Sequence, residues 1–384
     1  MMRFYPLLFT LLVLGAQARD LQINPGIRLP KDSLEASHLI QSLEGFLEAS
    51  QSENSANTYV LPAEKLETYL LLDEFKGIEA SSSFNDEHFY QPQLCNVAPL
   101  EEGQYWLQIS YFGQKGDTSI LRASFDLIAH PDKDQFKFAS PLKRNTRHWK
   151  EFKVGKSQFF YQDSLNEAHA IQYDQLSTRF DGNLKSENKA NIVYCCENLI
   201  SMERLLGLTY KIDYNGYNSS VWAVNEAGIK IMALANDNAS FENFDPHDLW
   251  HARLSMVISR RAVDHSVDEG CAYLYGGSWG YTWDEILKAF KAQIASDPSM
   301  DWRELKEKPQ YFQTGEHRNS ADYIVCALLV REIEAKHGFE GVWEFLNIGP
   351  REKGNAKFYQ KLERLLGISA EQYNAKVWEL IEQA

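Results

Sequence analysis

The chain has no apolar run approaching the ~20 residues that a membrane-spanning helix requires, and no run of like charge. The first absence predicts a chain without a transmembrane segment. The second, with 39 Lys and Arg against 53 Asp and Glu and a formal charge of −14, argues against nucleic acid or anionic lipid as a partner, since both need clustered cations. Cysteine is scarce and irregular: Cys95, Cys195, Cys196, Cys271 and Cys326 form neither a disulfide framework nor a CxxC zinc spacing. An odd count leaves at least one thiol unpaired, and the five read as small buried hydrophobes with room for one bridge. Internal repeats and low-complexity tracts are also lacking. What remains is a foldable composition, 44% apolar and 13% aromatic over 384 residues, long enough for two or three domains at ~100 to 200 residues each.

Residues 1–18 carry Arg3, an apolar run from Leu7 to Ala16 broken only by Thr10, and an Ala16-Gln17-Ala18 site before Arg19. This pattern reads as a cleavable signal peptide and places the mature chain in a secreted or periplasmic compartment. Asn218 and Asn238 sit in glycosylation sequons, which matter only in a eukaryotic host.

The expected fold class is α+β. Between 19 and 150, Leu39, Leu43, Phe46 and Leu47 recur at helical spacing behind an Asp32/Glu35 capping box. A second helix with Leu66, Tyr69, Leu70 and Phe75 follows Pro62 and stops near Gly77. Alternating Tyr105, Leu107, Ile109 and Tyr111, then Leu121, Ala123, Phe125 and Leu127, then Phe136 and Phe138, predict an antiparallel meander. In element order this N-terminal part resembles the cystatin-like or nuclear-transport-factor-like cone, and it offers no catalytic constellation. Residues 151–384 read differently: helical patterns over 164–180 and 188–206, strand-like 210–214 and 228–234, then a largely helical remainder. Gly338, Gly349 and Gly367 mark helix stops, and Ser369 with Gln372 forms a further capping box.

The segment Asp245-Pro246-His247-Asp248-Leu249-Trp250-His251 opens a helix, with Asp245 as its N-cap and Pro246 at the first helical position. His247 and His251 then share one face, and two imidazoles at this spacing can converge on a single ion such as zinc, at about 2.0 to 2.1 Å. The pair alone arises by chance in roughly one such chain in four. A catalytic zinc needs a third ligand, and Glu269 in Val267-Asp268-Glu269-Gly270-Cys271-Ala272-Tyr273 is the natural candidate, on a second helix closed by Gly276-Gly277. Asp248 has an ordinary role as well, as an acid near the start of a helix. Trp250 reads as a core residue. Asp264 or Asp268 is a candidate to orient an imidazole, and His265 reads as a loop residue.

At these residues the chain resembles the gluzincin metallopeptidases, the thermolysin-like and aminopeptidase-like group with HExxH and a downstream glutamate; secreted peptidases of the MA-like type look closest. The match covers about 150–384. It implies a zincin-like domain holding one Zn2+ on His247, His251 and Glu269, a peptide or protein substrate, and hydrolysis by a zinc-activated water. It also implies an edge strand at 228–234 along which a peptide could lie. Asp248 stands where the family has its glutamate base, one methylene shorter. The resemblance further asks for an oxyanion donor: Tyr323, on the counterpart of the family's late helix, or His317 in a loop that could swing over the cleft. Two functions follow, a secreted zinc peptidase and, because of Asp248, a catalytically inactive fold that binds peptide or protein. A scaffold without metal is the third possibility, if the histidine pair is accidental.

Overall fold

The computed structural model describes residues 21–86, 88–212, 220–295, 300–350 and 352–384. The expected signal peptide at 1–18 and the Asn218 sequon lie outside them. The chain is α+β. After a short strand β1 (Gln22–Ile23), the Asp32 carboxylate accepts the Leu34 and Glu35 N–H groups and starts α1 (Ser33–Ala49), which buries Leu39, Leu43, Phe46 and Leu47. Glu35, the other half of the expected box, accepts the Tyr105 hydroxyl at 2.9 Å. Next come α2 (Lys65–Glu79) and an antiparallel meander of β2 (Gln91–Pro99), β3 (Tyr105–Lys115), β4 (Thr118–Asp132) and β5 (Gln135–Ala139), with β1 parallel to β2. Both helices cover this sheet: Phe46 packs on Phe138 at 5.1 Å and Phe75 stacks on Phe125 at 3.8 Å. Register shifts at Leu94/Asn96 and Tyr111/Phe112 bend the strands, as bulges do.

Beyond α3 (Leu142–Asn145) the chain continues through β6 (Lys150–Val154), β7 (Ser157–Tyr161), α4 (Glu167–Asn183), β8 (Ala190–Cys195), α5 (Leu199–Leu206), β9 (Leu208–Lys211), β10 (Ser220–Glu226) and β11 (Ile229–Ala235). The described residues divide into two compact units, 21–148 with 199–212, and 149–198 with 220–384. A single division at residue 150 would place α5 and β9 with the second unit. They belong to the first because β9 pairs with β4 at Ala123–Phe125, the Ser140 hydroxyl donates to the Leu206 carbonyl, and Lys211 pairs with Glu74 at 2.7 Å.

In the second unit the sheet runs β10-β11-β8-β7-β6, with a parallel centre and antiparallel flanks. Two expectations are corrected here. The helix expected over 188–206 is β8, paired between β7 and β11, followed by α5; Val193, Tyr194 and Cys195 of β8 are all buried, and such a run shows no alternation to separate it from a helix. The segment 228–234 is not an edge strand. β11 pairs with β8 on one side and β10 on the other, so the edge is β10.

A helical layer follows: α6 (Pro246–Ser255), α7 (His265–Gly276), α8 (Trp283–Ile294), the hairpin β12 (Tyr311–Thr314) and β13 (His317–Ser320), α9 (Ala321–Leu346), α10 (Ala356–Leu366) and α11 (Tyr373–Gln383). Gly338, at φ 64° and ψ −170°, breaks α9 into two helical segments, as a stop would, and Gly367, at φ 71°, caps α10. Trp250, Val267, Cys271 and Leu329 lie in the core of this layer. Among the described residues no helix is long and apolar enough to cross a membrane.

Candidate metal centre

Helix α6 is started as its sequence dictates: the Asp245 carboxylate accepts the His247 N–H at 2.8 Å and Pro246 fills the first turn. Four-residue spacing then stacks His247 and His251 one turn apart. Helix α7, capped by Asp264 through the Val267 N–H, brings Glu269 opposite them. Two glycines permit this approach. A Cβ on Gly276 would lie 2.5 Å from the His247 nitrogen, and one on Gly270 would lie 2.7 to 2.8 Å from Cys326 and Ala327 of α9. Any larger residue at either position would push α7 away from its neighbours.

The three side chains meet. His247 Nε2 and His251 Nε2 are 3.1 Å apart, and the Glu269 carboxylate lies 3.5 Å from the first and 3.6 Å from the second. Ligand atoms each about 2.0 to 2.1 Å from a tetrahedral ion stand roughly 3.4 Å apart; here Oε2 of Glu269 faces His247 and Oε1 faces His251, and one ligand atom from each residue lies within 4.8 Å of the others, a group that could hold one ion. The side chains are 13%, 22% and 16% exposed for His247, His251 and Glu269, which leaves one side of the group open.

The outer nitrogens decide what faces inward. His247 Nδ1 is 2.8 Å from the Gly277 carbonyl, which can only accept, so this nitrogen carries the proton. His251 Nδ1 donates to Asp268 at 3.0 Å, and the same carboxylate oxygen accepts the Trp250 indole N–H at 2.9 Å. Both neutral imidazoles therefore turn Nε2 lone pairs towards each other and towards a carboxylate. Such a set repels itself unless a cation lies between, and fixing the ring by its second nitrogen is how proteins prepare a metal ligand. Without an ion the proton is the available cation. Burial disfavours the charged His247, but the Glu269 carboxylate, the Gly277 carbonyl and Asp245 outweigh it and raise its pKa. Burial likewise opposes the Glu269 charge, and the surrounding imidazoles lower its pKa in spite of that.

The other residues read from the sequence occupy distinct places. Asp248 is exposed, on the stripe of α6 next to the histidines. It lines a cavity of ≈ 230 Å³ together with Asp245, Leu249 and Ala252. Tyr323, in the first turn of α9, shares a 3.1 Å hydrogen bond with His265 Nε2, and its ring lies 5.8 Å from that of Tyr273, which in turn is 5.5 Å from His247. Burial and then the Glu269 charge push its phenol up to about 12. His265 is the first residue of α7 rather than a loop residue, 62% exposed, with Nδ1 3.8 Å from Glu269. His317 is not in a swinging loop: it begins β13 and stacks on Trp279 at 5.0 Å. Asp264 serves as a helix cap, and it is Asp268 that orients an imidazole.

Two parts of the site escaped the sequence. The Gly277 carbonyl is a backbone group with no signature of its own, although Gly276-Gly277 marks its position. The second is Arg253, fully buried near the end of α6, which ties that helix to Tyr173, Ser177, Asp181 and Asn191 by contacts of 2.8 to 3.3 Å. Protein-family models, curated proteins and solved structures give no match to this chain.

Proposed function

We propose that the chain is a zinc-dependent peptidase of the gluzincin type, exported by the signal peptide read in residues 1–18. His247, His251 and Glu269 would hold one Zn2+ per chain. The observation that carries this reading is the convergence of two Nε2 lone pairs and one carboxylate at 3.1 to 3.6 Å, with both Nδ1 protons already committed elsewhere. A structural zinc takes four protein ligands, whereas three ligands with an open position describe a catalytic one. When bound, the ion supplies a Lewis acid that polarises a carbonyl and acidifies water.

The chain's own residues do the rest. Gly277 and Asp268 hold the imidazole rings, so the ligands need not reorganise. Asp248, beside His247 and open to solvent, takes the proton of the attacking water and returns it to the leaving amine. Tyr323 keeps its proton at neutral pH, since burial pushes it up to about 12, and donates to the oxygen on which negative charge develops. An extended peptide adds to the sheet edge at β10 by main-chain hydrogen bonds. Val221 of β10 lines the same cavity as Asp248.

A second reading, binding without turnover, is favoured by the shortened acid at 248. Elemental analysis of purified protein tests the site itself. One zinc per chain is expected, abolished in His247→Ala; a folded protein that binds no zinc sinks both readings. Cleavage of a mixed peptide library tests turnover. Loss of activity in Asp248→Asn supports the peptidase, whereas inactivity of the native chain with activity in Asp248→Glu makes it a binding module.

A further inference from the structure

Helix α6 presents two faces about 150° apart, joined by one residue between them. Successive residues turn by about 100°, so His247 and His251 fall on one stripe, Asp245, Leu249 and Ala252 on another, and Asp248 on the border. The second stripe faces the ≈ 230 Å³ cavity, whose opposite walls are Val221 of β10, Met232 and Leu234 of β11, and Tyr173, Phe241 and Phe244. This volume is below the ~300 to 1,000 Å³ of sites for drug-sized ligands. It suits a single side chain, and Asp248, which lines it and stands between the two faces of α6, is its link to the histidine cluster.

The polar groups in the cavity are unequal. Both charged residues lining it, Asp245 and Asp248, are acids. Asn236 adds a buried Oδ1 that has no hydrogen-bond partner. Arg253 and Lys230 do not line it and pair with Asp181, each at 3.3 Å. Long apolar and aromatic walls with acceptors and negative charge among them match an aliphatic stem ending in a cation.

We propose that this cavity is a specificity pocket for a basic side chain, lysine or arginine, of a peptide bound at the metal centre. The word substrate rests on the peptidase reading, but occupancy of the pocket is measured separately. The experiment is calorimetric titration of the purified protein with the N-acetyl amides of arginine, lysine, norleucine and glutamate. The basic amides are expected to bind about tenfold or more tightly than norleucine amide, the worth of one charge-assisted hydrogen bond, with glutamate amide the weakest. Asp245→Asn keeps a competent helix cap while removing the charge, so it should retain the fold and bring arginine amide to within about threefold of norleucine amide. Should that variant unfold, Asn236→Leu, which removes the orphan acceptor, should also weaken arginine amide. Equal binding of norleucine and arginine amides by the native protein, or an undiminished basic preference in both variants, overturns the proposal. A basic preference in a protein that binds no zinc upholds the pocket and removes the peptidase. Zinc-dependent cleavage without any basic preference does the reverse.

Discussion

At the scale of single residues, the atoms behind the proposed metal ligands make the sharpest prediction. Asp268 holds His251 Nδ1 and the Trp250 indole on one oxygen. Asp268→Asn should therefore weaken zinc binding by about 10 to 100-fold, the usual effect of losing such a partner, with the helix content unchanged; competition against a chromophoric chelator measures it. Acid should act in the same direction. The His247 pKa is raised in the metal-free chain by contacts that outweigh burial, so the proton competes with the ion more strongly than at an ordinary histidine. Zinc affinity falls as the pH drops through that raised pKa, and above it this group contributes no pH dependence. Titrations with the same chelator at pH 8 and pH 6 should show the weaker binding at pH 6. The pairing of His247 with His251 was legible in the sequence because helical spacing alone puts them on one face. Their supports were legible only in part. Asp264 and Asp268 are both acids near the start of α7, and nothing but the fold tells which caps a helix and which reaches an imidazole.

At the scale of elements, the site is only as exact as the seating of α6 and α7. Gly270 lets α7 lie against the backbone of α9 at Cys326 and Ala327. Gly270→Ala should cost about 1 to 3 kcal/mol by overpacking and displace its neighbour Glu269, so the melting temperature and the zinc affinity should fall together. Arg253 seats α6 from its far end. Arg253→Met removes a buried cation from Asp181, a change worth about 3 kcal/mol, at the lower end for a broken buried pair because Lys230 still reaches the same carboxylate. Chemical denaturation measures this, and an Arg253→Met variant as stable as the parent would show that the cluster does not hold the helix. Elements that keep exposed or half-exposed positions among their buried ones, such as α1 and β3, could be read from period alone. The strand β8 could not, since Val193, Tyr194 and Cys195 are buried in succession, and neither could β10, whose place at the sheet edge depends on what β11 pairs with.

At the scale of the whole molecule, the thiols bear on compartment and chemistry. All five cysteines are free, and Cys195, Cys196, Cys271 and Cys326 are buried while Cys95 is half-exposed. Burial raises the pKa of each of those four thiols, that of Cys196 to about 12, and a thiol without its thiolate is inert. A thiol-specific chromogenic reagent should accordingly titrate one group, Cys95, in the native protein and five in denaturant, and a reducing agent should leave the melting temperature unchanged. Composition gave the buried character of the cysteines, and periodicity the α+β class. It did not give the division of the chain, because no feature of 199–212 announces that this stretch completes a sheet whose other strands end near residue 139. That interleaving carries a consequence for biosynthesis. A chain made from its amino end finishes β4 long before β9 exists to cover Ala123–Phe125, and β6, β7 and β8 leave the ribosome in between. The first unit therefore matures only after the second has begun, and a translational pause or a protease cut between 149 and 198 would strand both half-built.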